Sequence, residues 1–189
     1  MSEVLDDSGA GKDTVMGRRG TYLWRECMMM IGMKCMGQDM ECFHFGSQSE
    51  GTTTPGLQSD IDFLISANDF NIMTVWEDWK SWMLNLLMLH DDTTPPQQYL
   101  LQAIQTYTPE PETSLIHGTL VTNDCGQVLL SAERGKQYIE YEDRDRGEAT
   151  KNGPSVSFIP NWDVVNAFHI RKPLPEIHHW IDRCKGRPV

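Results

Sequence analysis

The sequence predicts an α+β domain, with one mixed central sheet that carries a Gly-Ser turn and a pair of acids, and with helices on its outer face. Three stretches carry that prediction. Residues 18–36 spread Tyr22, Trp24, Met28, Met29, Ile31, Met33 and Met36 around much of a helix's circumference, the pattern of a helix packed against a sheet, with its methionines read as core filling. Residues 40–45, rich in Phe and Cys, read as a strand that ends at Gly46. Asp60-Ile61-Asp62-Phe63-Leu64-Ile65 reads as a second strand, whose period of two sends Asp60 and Asp62 to one face and Ile61 and Phe63 to the other.

At 189 residues and 39% hydrophobic content, the chain is long enough for one compact domain with a buried core. The polar stretch 1–17 reads as a flexible lead and 18–189 as the domain. A formal net charge of −11 repels phosphate backbones at long range. Nucleic-acid affinity is therefore expected to be weak and local, at a patch such as Arg18-Arg19 or Arg171-Lys172. The lead has no apolar core for a signal peptide, no stretch reaches membrane-spanning length, and no membrane partner is expected. Five cysteines, an odd count without export signals, suggest reduced thiols and an intracellular, cytoplasmic or nuclear, protein. Gly9-Ala10-Gly11-Lys12-Asp13-Thr14 imitates a phosphate-binding loop. It fails the spacing, with Asp6 where the first glycine belongs and Asp13 where Ser or Thr belongs, and reads as linker.

Ser47-Gln48-Ser49-Glu50 has capping-box spacing and opens a short helix, interrupted by Gly51, Pro55 and Gly56. Thr74-Val75-Trp76-Glu77 is the spacing of a cap for a helix bearing Trp76, Trp79, Trp82 and Met83 as core residues, and the apolar run to Leu89 either extends it or becomes a strand. Residues 97–105 read as a further helix, 108–112 as a loop, and 128–131 and 136–141 as strands. Residues 162–168 are apolar enough for a core strand.

Two carboxylates held on one face are costly unless a cation joins them, and a hard oxygen pair suits Mg²⁺ or Mn²⁺ together with substrate phosphates. A Gly-Ser turn entering a helical turn offers backbone N–H groups and a hydroxyl to phosphate oxygens, with glycine allowing close approach. Gly46-Ser47 followed by Asp60-x-Asp62 thus combines a phosphate-holding loop with metal-holding acids, as a two-metal nucleotidyl transfer requires.

Gly46-Ser47 with Asp60-Ile61-Asp62 resembles the signature of the polymerase-beta-type nucleotidyltransferase superfamily. EGTTTPGLQSDIDFL resembles the branch holding cyclic GMP-AMP synthase and the male-abnormal-twenty-one (Mab) proteins. Asn152-Gly153-Pro154-Ser155-Val156, Trp162-Asp163-Val164-Val165-Asn166-Ala167, Leu174-Pro175-Glu176-Ile177 and Trp180-Ile181-Asp182-Arg183 resemble later blocks of Mab-type domains, in order. The resemblance implies a nucleotidyltransferase core acting on NTP substrates, with two Mg²⁺ or Mn²⁺ ions held by Asp60, Asp62 and a third acid, and relatives that make linked nucleotide messengers. Asp163 falls in the block where the family carries that acid; the alternatives are a polar turn after Pro160-Asn161, or other acids such as Asp91-Asp92 and the Glu140–Asp145 cluster. His169, His178, His179 and Cys184 lack the paired cysteines of zinc-bearing relatives, so no zinc site is expected. The chain ends before the family's helical carboxy-terminal half, which implies a truncated domain with an apolar contact surface near Ile177, Trp180 and Ile181. A non-catalytic Mab-type module that binds a nucleotide or a protein is the competing expectation.

Overall fold

The computed structural model describes residues 11–50, 60–90, 94, 98–142, 144–172, 174–178 and 182. The expectations for Asp91-Asp92, for Gly51, Pro55 and Gly56, and for His179, Trp180, Ile181 and Cys184 lie outside the described residues. The chain is α+β with mixed sheets and few helices. Among the described residues, three sheets replace the single one expected.

The first element is helix α1 (Lys12–Cys35), which begins six residues before the expected start, so Lys12, Asp13 and Thr14 are its first turn and not linker. One face, with Tyr22, Glu26, Met30 and Met33 half-buried, packs on strand β1 (Met40–Phe45). The other face is open: Trp24 is 64% exposed, and Met28, Met29 and Ile31 are exposed beside it. The expectation of core filling therefore fails for these methionines, because the helix has a sheet on one side only. Met73, by contrast, is fully buried.

After β1 come the one-turn helix α2 (Gly46–Ser49) and strand β2 (Ile61–Ala67). The capping box does not form, since the turn begins at Gly46 and takes Ser47 inside it. Ser49 Oγ and the Glu50 N–H both donate to the Gly46 carbonyl instead, at 3.1 and 3.0 Å. β2 turns at Asn68-Asp69 into β3 (Phe70–Met73). Residues 76–78 make a single 3-10 turn in place of the expected tryptophan helix, and the apolar run becomes strand β4 (Leu84–Leu89). Trp82, at 77% exposed, and Trp76 are not core residues; Trp82 stands edge-on to Tyr107 with ring centroids 4.9 Å apart. The expected helix at 97–105 is strand β5 (Leu100–Ile104), antiparallel to β4. β6 (Leu120–Thr122) and β7 (Val128–Leu130) follow, and 108–112 is a loop apart from one bridge at Pro111. The expected strand at 136–141 lies within helix α3 (Ala132–Glu142), supported by the i,i+3 pair Glu133–Lys136 at 3.1 Å. β8 (Thr150–Asn152) and β9 (Ser155–Ser157) form a hairpin, and β10 (Trp162–Phe168) is the last strand.

Strand order is β1-β2-β10 in one sheet, β3-β4-β5-β7-β6 in the second, and β8-β9 in the third. The five-stranded sheet is buried on both faces. Ile72, Leu86, Ala103, Leu120 and Val128 cluster on one, and Met73, Leu87 and Ile104 on the other. Phe168, from the end of β10, reaches this core and meets Phe70 at 4.5 Å between ring centroids, tying the three-stranded sheet to the larger one.

Candidate active site

The three-stranded sheet has two unlike faces, set by register. β1 pairs antiparallel and β10 parallel with β2, so His44, Phe63 and Val164 stand in one row, and Phe45, Asp62 and Asp163 in the next. Residues adjacent in register share a face and neighbouring rows take opposite ones. The first row turns toward α1. His44 is buried between Tyr22 and Phe63, with ring centroids at 5.0 and 4.7 Å, and Trp162 closes the cluster at 6.0 Å. Glu26 of α1 accepts from the His44 backbone N–H at 2.5 Å and stands 3.2 Å from His44 Nδ1. Burial pushes the His44 pKa down, partly offset by the Glu26 carboxylate. Its Nε2 is buried without a hydrogen-bond partner among the described residues. Cys42, on the same face and buried, has its thiol pKa pushed up by burial, with Glu26 adding to the shift.

The second row faces away from α1 and carries the acids. Asp62 and Asp163 are register partners on parallel strands about 4.8 Å apart. Asp62 is exposed and Asp163 half-buried. Each leans toward a different neighbour. An ideal Cβ built on Gly46 would lie 2.3 Å from Asp62 Oδ2, and Gly46 adopts φ +81°, so both sterics and backbone conformation demand glycine at the turn. On the other flank, Asp163 Oδ1 accepts from Ser155 Oγ at 3.1 Å and from Asn152 Nδ2 at 3.2 Å. Those two residues close the β8-β9 hairpin, whose tight turn uses Gly153 at φ +57°. Lys151 pairs with Glu140 at 2.7 Å and Lys136 donates to the Gly153 carbonyl at 3.3 Å, so α3 anchors the hairpin that holds Asp163.

Asp60 immediately precedes β2, whose first residue is Ile61. It is exposed, and the strand's first hydrogen bond at this edge runs from the Ile61 N–H to the Asn161 carbonyl at 2.8 Å. Among the described residues no three or more of His, Cys, Asp and Glu gather as a metal-holding group. Asp62 and Asp163 are the register-paired carboxylates that could hold a small hard cation, since Mg²⁺ binds through one or two carboxylates and completes its shell with water and substrate phosphates. Gly46 and Ser47 follow the end of β1, with the Asp62 carboxylate against Gly46 where a Cβ would sit.

Sequence reasoning missed Asn152 and Ser155 as partners of the third acid. Gly153 as the first residue of the two-residue turn Gly153-Pro154 is a hairpin signal that would fold 150–157 back on itself next to the strand at 162–168. A cavity of 180 Å³ opens elsewhere, beyond the carboxy-terminal end of β10, where Asn71, Lys80, Arg171 and the Asp78–Lys172 ion pair line it. It does not include the acids. Among the described residues no helix is long and apolar enough to cross a membrane. The chain matches no family model, no curated protein and no solved structure.

Proposed function

We propose that this chain is the core of a metal-dependent nucleotidyltransferase of the cyclic GMP-AMP synthase-like type, which joins NTPs into a linear or cyclic oligonucleotide messenger. The observation that carries the reading is the row in which Asp62 and Asp163 stand side by side in register, with Gly46 packed against the first. In this reading the Gly46-Ser47 backbone and the Ser47 hydroxyl hold the triphosphate, and glycine lets the phosphates approach Asp62. Asp62 and Asp163 would hold Mg²⁺ or Mn²⁺, with Asp60 as the further acid for a second ion, and the metal would supply charge neutralisation at the transferring phosphate. The 3′- or 2′-hydroxyl of one nucleotide attacks the α-phosphorus of the other in line, a phosphodiester forms, and the bond to pyrophosphate breaks. Asp163 is poised to take the hydroxyl proton, because Ser155 and Asn152 engage one of its oxygens and fix the direction of the other.

The test is to incubate the protein with ATP, GTP and Mn²⁺ and assay pyrophosphate and linked dinucleotides, alongside the Asp62→Asn/Asp163→Asn double variant. The expected result is metal-dependent NTP binding in the parent and its loss in the double variant, with the fold retained because two like charges have been removed. An unchanged metal dependence in the double variant would sink the reading. A second reading, a non-catalytic Mab-type module, draws support from the absence of a three-ligand cluster among the described residues. NTP binding without pyrophosphate release would favour it.

A further inference from the structure

The outward face of α1 is a continuous apolar row. Met16, Leu23, Trp24, Met28 and Ile31 are each about half exposed or more, along a helix of 24 residues that spans roughly 36 Å. Isolated exposed apolar side chains are ordinary, but a contiguous row of this length marks an interaction surface. The row also carries a charge pattern. Asp13 lies in the first turn, in line with Trp24 and Ile31, and Lys34 in the last, in line with Met16 and Leu23.

We propose that this face binds the same face of a second copy of the chain, the two α1 helices running antiparallel about a two-fold axis beside Leu23 and Trp24. An antiparallel register that sets Leu23 against the partner's Trp24 also sets Met16 against the partner's Ile31. At the two ends it sets Asp13 against the partner's Lys34, so the two ends of the contact close with opposite charges and the apolar row meets itself. Two-fold contacts are self-complementary in this way, each pair occurring twice. Gly20 falls opposite the partner's Cys27, and a Cβ built at Gly17 or Gly20 meets nothing within 4 Å, so the backbones are free to approach. Arg18, Arg19 and Arg25 lie off the seam. Their charge makes an anionic bilayer the rival occupant of the row, but a bilayer gives no role to Asp13 within it. The inference stands independently of the nucleotidyltransferase reading.

The experiment is sedimentation velocity of the full chain across a concentration series in reducing buffer, with circular dichroism to confirm folding. The parent is expected to dimerise, and Trp24→Glu to be monomeric throughout. Asp13→Lys and Lys34→Asp are each expected to weaken the dimer about tenfold, from two exposed ion pairs turned repulsive, and the double charge swap to restore it to within about twofold. A parent that stays monomeric, a dimer indifferent to Trp24→Glu, or charge reversals that add instead of cancelling would each overturn the proposal. So would a monomer that binds phosphatidylserine vesicles through Trp24.

Discussion

The five-stranded and three-stranded sheets use their polar residues in opposite ways. In the five-stranded sheet, the buried asparagines are sealed in and bonded to one another and to the backbone. Asn71 Nδ2 donates to Asn85 Oδ1 at 2.7 Å, and Asn85 Nδ2 donates to the Lys80 and Met83 carbonyls at 2.7 and 2.9 Å, pinning the segment between β3 and β4. In the three-stranded sheet the polar groups sit at the surface, or buried and incompletely bonded, with Asp62 exposed, Asp163 held at one oxygen and His44 carrying an orphan nitrogen. A satisfied buried network fixes structure, whereas half-satisfied groups and paired like charges store free energy that a bound ligand can release. Stability therefore belongs chiefly to the first region, and the proposed chemistry to the second.

The sharpest way to break that division is to damage the core and watch the site. Met73 is fully buried on the face that also holds Leu87 and Ile104, so Met73→Ala is expected to cost about 2–5 kcal/mol in urea denaturation. Metal-dependent NTP binding by the remaining folded protein should stay within about threefold of the parent, since sites that share no partners behave additively. A variant with parental stability and lost binding would show that the two regions are one unit.

Gly46→Ala attacks from the other side. The left-handed conformation costs a residue with a Cβ roughly 1–2 kcal/mol, and the new methyl would press on the Asp62 carboxylate 2.3 Å away. The expected outcome is a modest loss of stability and a loss of NTP binding at least as large as that of Asp62→Asn alone. Parental binding in Gly46→Ala would mean that the turn does not face the phosphates.

The same contrast explains how much could be read in advance. β1 and β10 fall where the sequence puts them, because short apolar runs bounded by Gly46 and by Pro160-Asn161 are too short for a helix and long enough for a strand. The strands that carry Asp62 and Asp163 are legible in the sequence, but their side-by-side register is not, because it joins residues 101 positions apart. Residues 100–104 defeated the reading because Leu-Leu-Gln-Ala-Ile is too short to distinguish a strand buried on both faces from a helix turn. Helix α3 was missed because Tyr138, Ile139 and Tyr141 imitate a strand, while the Glu133–Lys136 pair that supports the helix lies partly outside that window. For α1, hydrophobicity all round specified a helix but not what covers it. That depends on partners distant in sequence, whereas Ser155 and Asn152 reach Asp163 from a hairpin only 8 and 11 residues before it.

The smallest expected effect concerns His44, which links α1 to the sheet that carries the acids. Its folded pKa is lowered from 6.5, with burial the leading cause and Glu26 pulling the other way. Above pH 6.5 both folded and unfolded chains hold it neutral, and its contribution to stability is fully present. As pH falls from there toward the folded pKa, the unfolded chain takes up a proton that the buried ring refuses, and stability declines; below the folded pKa the decline from this group ends. Urea denaturation between pH 7.5 and 5 should therefore show a slope in the parent that is absent in His44→Gln. Glu26→Gln removes the carboxylate that favours the protonated ring while keeping an acceptor near Nδ1, so the sloping window should extend to lower pH. If the parent and His44→Gln lose stability in parallel across that range, the histidine is not the group that couples α1 to the acid-bearing sheet, and the dividing line between the stable and the reactive region runs elsewhere.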